Sequence, residues 1–201
     1  MLAELLAKPG VREESVLRSR FGFMAFHGGS LEEMTDVIAL AAAERSGASY
    51  YGLLQPPDLQ WHISSHKLSP ADSTTMAAFL DHVDVVVTVH GYGRQGMFTS
   101  LLLGGQNRAL ADHIAPHLRS QLPAYDIRTD LDTIPTDLRG QHPTNPVNLP
   151  RQQGVQIELP PRVRGSSPMW WDWEGPGHTP HTESLIDGLA EAALAWPRTA
   201  R

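Results

Sequence analysis

Three apolar runs in this chain each lead to a residue able to ligate a metal or carry a proton, and this pattern constrains the fold more than any other feature. Phe21 to Phe26 runs into His27, Val83 to Val89 runs into His90, and the alternating segment Val155 to Leu159 carries Glu158. Open α/β sheets build their sites at the carboxyl ends of strands, where loops gather side chains from distant parts of the sequence. Two histidines and a carboxylate can hold a metal at such a place, and a second carboxylate can move protons.

Composition limits the alternatives. The 201 residues, 41% of them hydrophobic, suffice for one globular domain with a substantial core. We expect a single domain over 1–201, with its core at 21–165 and a Trp-rich loop and C-terminal helix at 166–201. The chain has no cysteine, so disulfides and thiolate catalysis are excluded and any metal must be held by His, Asp or Glu. That donor set favours zinc over copper. The segment Met1 to Lys8 has Glu4 inside a short apolar stretch and no basic leader. We expect a cytoplasmic, monomeric protein with neither a signal peptide nor a membrane span. A net charge of −6 argues against general nucleic-acid binding.

Strands and helices alternate along the chain. After the first strand, Ser30 to Glu33 matches a capping box and predicts a helix to about Arg45, with Glu32 in its first turn. Tyr50 to Leu54 and Trp61 to Ser64 read as short strands. Ser69-Pro70 opens a predicted helix to about His82. The near-continuous apolar strand Val83 to Val89 suits a central position. Met97 to Leu103 reads as a strand, Asn107 to Gln121 as a helix, Gly154 to Leu159 as a strand and Glu183 to Trp196 as the last helix. Residues 124–151 give only turn signals, a length that suggests they shape a site. The fold class expected is α/β, a mixed and mostly parallel sheet flanked by helices.

His27 and Glu32 are too unevenly spaced to share one face of a continuous helix. Gly28 and Gly29 permit a sharp strand-to-helix turn that brings them together; the plainer alternative makes His27 a turn residue and Glu32 a carboxylate favourable to a helix dipole. His90, ending the most apolar strand before Gly91, would complete a His, Glu, His set with room for water. In Val155 to Leu159 the apolar residues alternate with Gln156 and Glu158, which puts a carboxylate inside the sheet, where it needs a cation, a metal or a cavity. Gly91 to Gly96 matches the G-x-G-x-x-G dinucleotide pattern, but a strand rather than a helix is predicted after it. His178 and His181 fall in a Gly/Pro-rich loop and read as an exposed turn.

The ordered set His27 to Glu32, Trp61 to Ser65, Val89 to Tyr92, Leu103 to Gly105 and Asn145 to Glu158 resembles the phage-type poly-γ-glutamate hydrolases, over roughly residues 21 to 165. The resemblance implies a zinc carboxypeptidase-like fold, one zinc held by His27, Glu32 and His90, and Glu158 as the catalytic carboxylate. The chain departs from the family at Ser30 and Glu33, and at Asn148-Leu-Pro-Arg151, where the usual Asn-Arg pair is loosened.

The expected chemistry is amide hydrolysis of an acidic peptide or polyglutamate-like substrate. Zinc would activate water near neutral pH and polarise the carbonyl, Glu158 would move the proton, and Arg151, Arg162, Arg164 and His62 would hold the substrate. A negative chain acting on a polyanion requires a locally basic cleft. The competing readings are an amidase or carboxypeptidase acting on cell-wall peptides or N-acyl amino acids, and a non-catalytic nucleotide- or metal-binding protein.

Overall fold

The computed structural model describes residues 1–197; the last four residues of the expected 166–201 segment lie outside them. The elements are α1 (Leu2–Leu6), β1 (Arg12–Val16), β2 (Phe21–Gly29), α2 (Thr35–Ser46), β3 (Ser49–Gln55), α3 (Thr74–His82), β4 (Val85–Gly91), β5 (Ser100–Leu103), α4 (Arg108–Gln121), β6 (Asp126–Arg128), β7 (Gly154–Leu159), α5 (Pro161–Arg164) and α6 (Pro180–Ala195), joined by several short 3-10 turns. One seven-stranded sheet runs in the order β1-β3-β2-β4-β7-β5-β6. β3, β2, β4 and β7 are parallel neighbours, while β1 pairs antiparallel with β3 and β5 antiparallel with β7. This is the mixed, mostly parallel α/β sheet expected.

Side-chain alternation along the strands explains the layers. Phe23, Ala25, Val85, Val87, Val89, Val155 and Ile157 turn to one face, where they pack in one core with Ile38 and Ala42 of α2, Leu110 and Ile114 of α4, and Leu185 and Leu189 of α6. Met24, Phe26, Tyr51, Leu53 and Val86 turn to the other, against Leu2 and Leu5 of α1 and Met76 and Phe79 of α3. Further along β4 and β7 that second face becomes polar, with Thr88, His90, Gln156 and Glu158 all buried. The irregular segment between β6 and β7 covers it.

Local expectations were revised in four places. The helix predicted from Ser30 begins at Thr35, after Met34 in a left-handed conformation (φ 72°). The Ser30 hydroxyl does not cap it, because it donates instead to the carbonyls of Gln55 (3.2 Å) and Pro56 (2.7 Å) at the end of the adjacent strand. Trp61 to Ser64 is not a strand; a coil there is held by the Gln55 side chain, which accepts from Trp61 N–H at 2.8 Å and donates to Trp61 O at 2.9 Å. Only Ser100–Leu103 of the strand predicted from Met97 is extended, and the helix predicted from Pro70 starts at Thr74, capped by the Ser73 hydroxyl. The sequence reading passed over α1 and β1, both too short and too mixed in character to give a clear periodicity. No helix among the described residues is long and apolar enough to cross a membrane.

Candidate metal centre and catalytic carboxylates

β2 carries the local irregularity that makes the site. Its residues 21 to 24 pair in step with Val85 to Thr88 of β4, odd against odd. Continued to His90, that register would place Phe26 beside it and turn His27 to the helix-covered face. The pairing of β2 with β3 shifts between Ala25 and Gly28, a bulge that inserts one residue. Such an insertion re-aims the side chains beyond it. As a result Phe26 and His27 both pack on His90, with ring centroids 4.7 and 5.1 Å from it.

The turn after β2 brings Glu32 back to the strand end. Glu32 N–H donates to His27 O at 2.9 Å. The carboxylate then meets both imidazoles: Oε1 lies 2.7 Å from His27 Nδ1, and Oε2 lies 3.3 Å from His90 Nδ1 while accepting from Gly91 N–H at 2.9 Å. His27 Nε2 lies 2.9 Å from the Ile63 carbonyl, which can only accept, so it bears a proton. A neutral His27 therefore aims the lone pair of Nδ1 at a carboxylate oxygen. Two acceptors this close require a cation between them, either a proton or a metal. The donor chemistry, imidazole nitrogens and a carboxylate without thiolate, fits zinc. The group with all donor atoms within 4.8 Å of one another is His27, Glu32 and His62. His62, expected among the substrate residues, is thus an alternative to His90 as the third donor to a metal. His90 is the buried strand-end residue, and its Nε2 has no hydrogen-bond partner among the described residues.

β7 delivers Glu158 next to this group, since Glu158 is the register partner of His90 on β4 and of Leu102 on β5. The strand is interior, and Glu158 is buried. The two carboxylates titrate in opposite directions. Burial pushes Glu32 up, but the charges of His90 and His27 hold it well below the usual carboxylate range. Burial and the Glu32 charge push Glu158 well above that range, opposed by the hydrogen bond from Gln156. Two carboxylates driven apart in this way are suited to separate roles, one a fixed anion and the other a proton carrier. For His27, burial is outweighed by the charge and hydrogen bond of Glu32, which raise its pKa; for His90, burial prevails and lowers it.

These groups line a cleft of about 760 Å3 together with His62, Ser64, His66, Thr136, Asp137, Gly140, Gln141, His142 and Asn145. The long segment of turn signals does shape the site, held by two asparagines that sequence reasoning left without a role. Asn148 Nδ2 donates to Gly140 O (2.8 Å) and His142 O (2.9 Å), and Asn145 Nδ2 donates to the Gln156 side chain (2.8 Å). A second cavity of about 570 Å3 opens at the opposite end of the strands, between Arg18 to Phe21 and Trp196, and contains no histidine.

Of the residues expected to hold substrate, His62 lines the cleft and the three arginines do not. Arg151 precedes β7, and its 3.5 Å ion pair with Asp84 sets it at the amino-terminal ends of β4 and β7, the far side of the sheet. Arg162 lies 6.0 Å over the Tyr125 ring, and its carbonyl accepts from Trp170 Nε1 at 2.8 Å. That ties down the Trp-rich loop, where Trp170 packs on His181 of α6 at 4.9 Å while Trp171 is 77% exposed. Arg164 is buried beneath Gly91 and donates to the carbonyls of Leu159 and Glu33. Burial lowers its pKa, and the charges of Glu32, Glu33 and Glu158 oppose that. Arg164 is an internal counter-charge to the two site carboxylates. The order along the chain already sets Arg151 before β7 and the other two after it, but the tertiary partners that draw Arg162 and Arg164 into packing leave no mark in a local sequence pattern.

The fold is a mixed α/β sheet of the carboxypeptidase-like type. The structure resembles a metallo-carboxypeptidase from Burkholderia cenocepacia (TM-score 0.52, 9% identity, 96% of this chain and 66% of that one). It is closer to YNDL in its zinc-free apo form (TM-score 0.73, 17% identity, 90% and 88%) and to a bacteriophage poly-gamma-glutamate hydrolase (TM-score 0.76, 20% identity, 94% and 91%). No curated relative matches the sequence itself. The poly-gamma-glutamate hydrolase family profile matches residues 3–172, and the chain belongs to that family.

Proposed function

We propose that this protein is a zinc-dependent hydrolase of γ-glutamyl amide bonds, with His27, Glu32 and His90 as ligands of one metal ion and Glu158 as the general base. The observation that carries this reading is the pair of buried carboxylates on one cleft, Glu32 locked between two imidazoles and Glu158 held, among the described residues, by Gln156. Zinc, when bound, supplies Lewis-acid polarisation and lowers the pKa of water. Glu158 takes a proton from the attacking water as its oxygen bonds to the carbonyl carbon, then delivers that proton to the nitrogen as the C–N bond breaks. Family membership supports γ-glutamyl linkages as the bond cleaved.

A polyanionic substrate must still be accommodated by a chain of net charge −6. Among the described residues lining the cleft there is no Arg or Lys, so the substrate carboxylates fall to the imidazoles of His62, His66 and His142. His66 and His142 both line the cleft with ring centroids 4.7 Å apart and planes tilted by 35°, and Thr144 Oγ1 joins them, donating to His66 O (2.7 Å) and lying 2.9 Å from His142 Nδ1.

The test is Glu158→Gln in zinc-loaded protein, assayed on poly-γ-glutamate and on short γ- and α-linked glutamyl peptides with metal content measured in parallel. Turnover of γ-linked substrate should fall by roughly 10²–10⁴-fold while metal stays near one per chain. Unchanged hydrolysis would refute the role of Glu158, and preference for α-linked or cell-wall peptides would reassign the substrate.

A further inference from the structure

Behind Glu158 stands a directed chain of side-chain hydrogen bonds. Gln156, two residues earlier on β7 and therefore on the same face, donates from Nε2 to Glu158 Oε1 at 2.8 Å. Its own Oε1 accepts from Asn145 Nδ2 at 2.8 Å, and Asn145 Oδ1 accepts from Val147 N–H at 3.3 Å. Asn145, Gln156 and Glu158 are all buried.

The direction of the chain is set from its far end. A backbone N–H can only donate, so Val147 fixes the oxygen of the Asn145 amide and turns its NH2 towards Gln156. That NH2 in turn fixes the Gln156 oxygen, which leaves the Gln156 NH2 facing Glu158. Gly140 closes the remaining side. At its φ of +62°, a Cβ would lie 2.7 to 2.8 Å from Gln156 Oε1, Cβ and Cδ, so the glutamine lies flat on the Gly140 backbone. The Gly140 carbonyl is itself held by Asn148.

We infer that Gln156, oriented by Asn145 and clamped by Gly140, is the positioning residue for Glu158. It pins Oε1 and leaves Oε2, which accepts no hydrogen bond among the described residues, as the oxygen that exchanges the proton. This inference rests on the proposed role of Glu158. A carboxylate free to rotate in a cleft of this size would lose the alignment that proton transfer needs, and a misplacement of 1 Å costs about 10²-fold in rate.

The test compares zinc-loaded Gln156→Leu, Asn145→Asp, Asn145→Leu and the Gln156→Leu/Asn145→Leu double variant, with Glu158→Gln alongside. Gln156→Leu should lower kcat by about 10²-fold, with KM and metal content within about twofold of wild type. In a crystal structure of that variant the Glu158 carboxylate should leave its wild-type position. Asn145→Asp keeps the acceptor for Val147 and presents a second oxygen to Gln156, which reverses the Gln156 amide; kcat should fall here too, so the idea stays testable if Gln156→Leu does not fold. The double variant should lose less than the product of the two single losses, since Asn145 acts on Glu158 through Gln156. Wild-type kcat in Gln156→Leu or Asn145→Asp, or multiplied losses in the double variant, would overturn the inference. If instead Glu158→Gln hydrolyses normally, it is the proposed function that fails.

Discussion

Gly91 is the residue whose replacement most directly probes how the site is supported. Its N–H donates to Glu32, and a Cβ added to it would lie 2.8 Å from Arg164 Cζ, 3.0 Å from Nη1 and 3.1 Å from Nε. A guanidinium at the end of a flexible chain would ordinarily move aside. This one is only 7% exposed, bonded to Leu159 O and Glu33 O, and surrounded by the charges of Glu32, Glu33 and Glu158. Moving it weakens two hydrogen bonds from a charged donor, each contributing about 1.5–3 kcal/mol. Partial loss of both gives about 3 kcal/mol for Gly91→Ala, a fall in Tm of about 6–12 °C for a chain of this size. Thermal and urea unfolding of metal-free protein would measure it. In an Arg164→Met background, where the guanidinium is gone, the same substitution should cost under about 1 kcal/mol. Equal costs in both backgrounds, or a Gly91→Ala protein as stable as wild type, would refute the account of Arg164 as a pinned counter-charge.

Three further outcomes are expected. His90→Ala should abolish tight zinc binding while His62→Ala retains about one ion per chain, measured by elemental analysis after dialysis; the reverse result would give the third ligand position to His62. His66→Gln and His142→Gln should each raise KM for poly-γ-glutamate several-fold with kcat little changed, and unaltered KM would remove these imidazoles from substrate binding. Arg45 pairs with Glu183 (2.5 Å) and Asp187 (2.6 Å), and its hydrogen bond lowers the Glu183 pKa. A depressed carboxylate stabilises the fold above its unfolded pKa and loses that contribution as pH falls through its folded value. The Tm difference between wild type and Arg45→Gln should therefore be present near neutral pH and fade as pH falls below the ordinary carboxylate range, remaining small because the pair is partly exposed. A difference that persists in acid would contradict this.

Much of the site could be read from the sequence because its key residues sit on strands whose patterns are strong. The apolar run before His90 announced a central strand, and the alternation in Val155 to Leu159 announced an interior carboxylate. Gln156 carried the same signal as Glu158 but offered no obvious chemistry, so its part became visible only with Asn145 in place. What failed were inferences from local motifs whose groups found tertiary partners instead. Ser30 has the form of a helix cap, yet the end of β3 takes its hydroxyl. The pattern puts Glu32 in the first turn of a helix, yet the helix begins only at Thr35, and Glu32 meets the two histidines from the turn before it. The arginines carried charge of the right sign, but Arg151 lies before β7, at the end away from the cleft, while Arg162 and Arg164, at the correct end, are drawn to Tyr125 and to the carbonyls of Leu159 and Glu33.

The extra residue in β2 has a consequence for how this chain can vary. With it, His27 and His90 meet on one face; without it, the imidazole of His27 would turn into the packed layer beneath α2, where it has neither a carboxylate nor access to the cleft. The segment from Phe21 to Gly28 is therefore under a constraint of count as well as of composition. Its residues can be exchanged for others of similar size, but a single deletion changes the parity and removes a donor from the site without altering any of the residues that compose it.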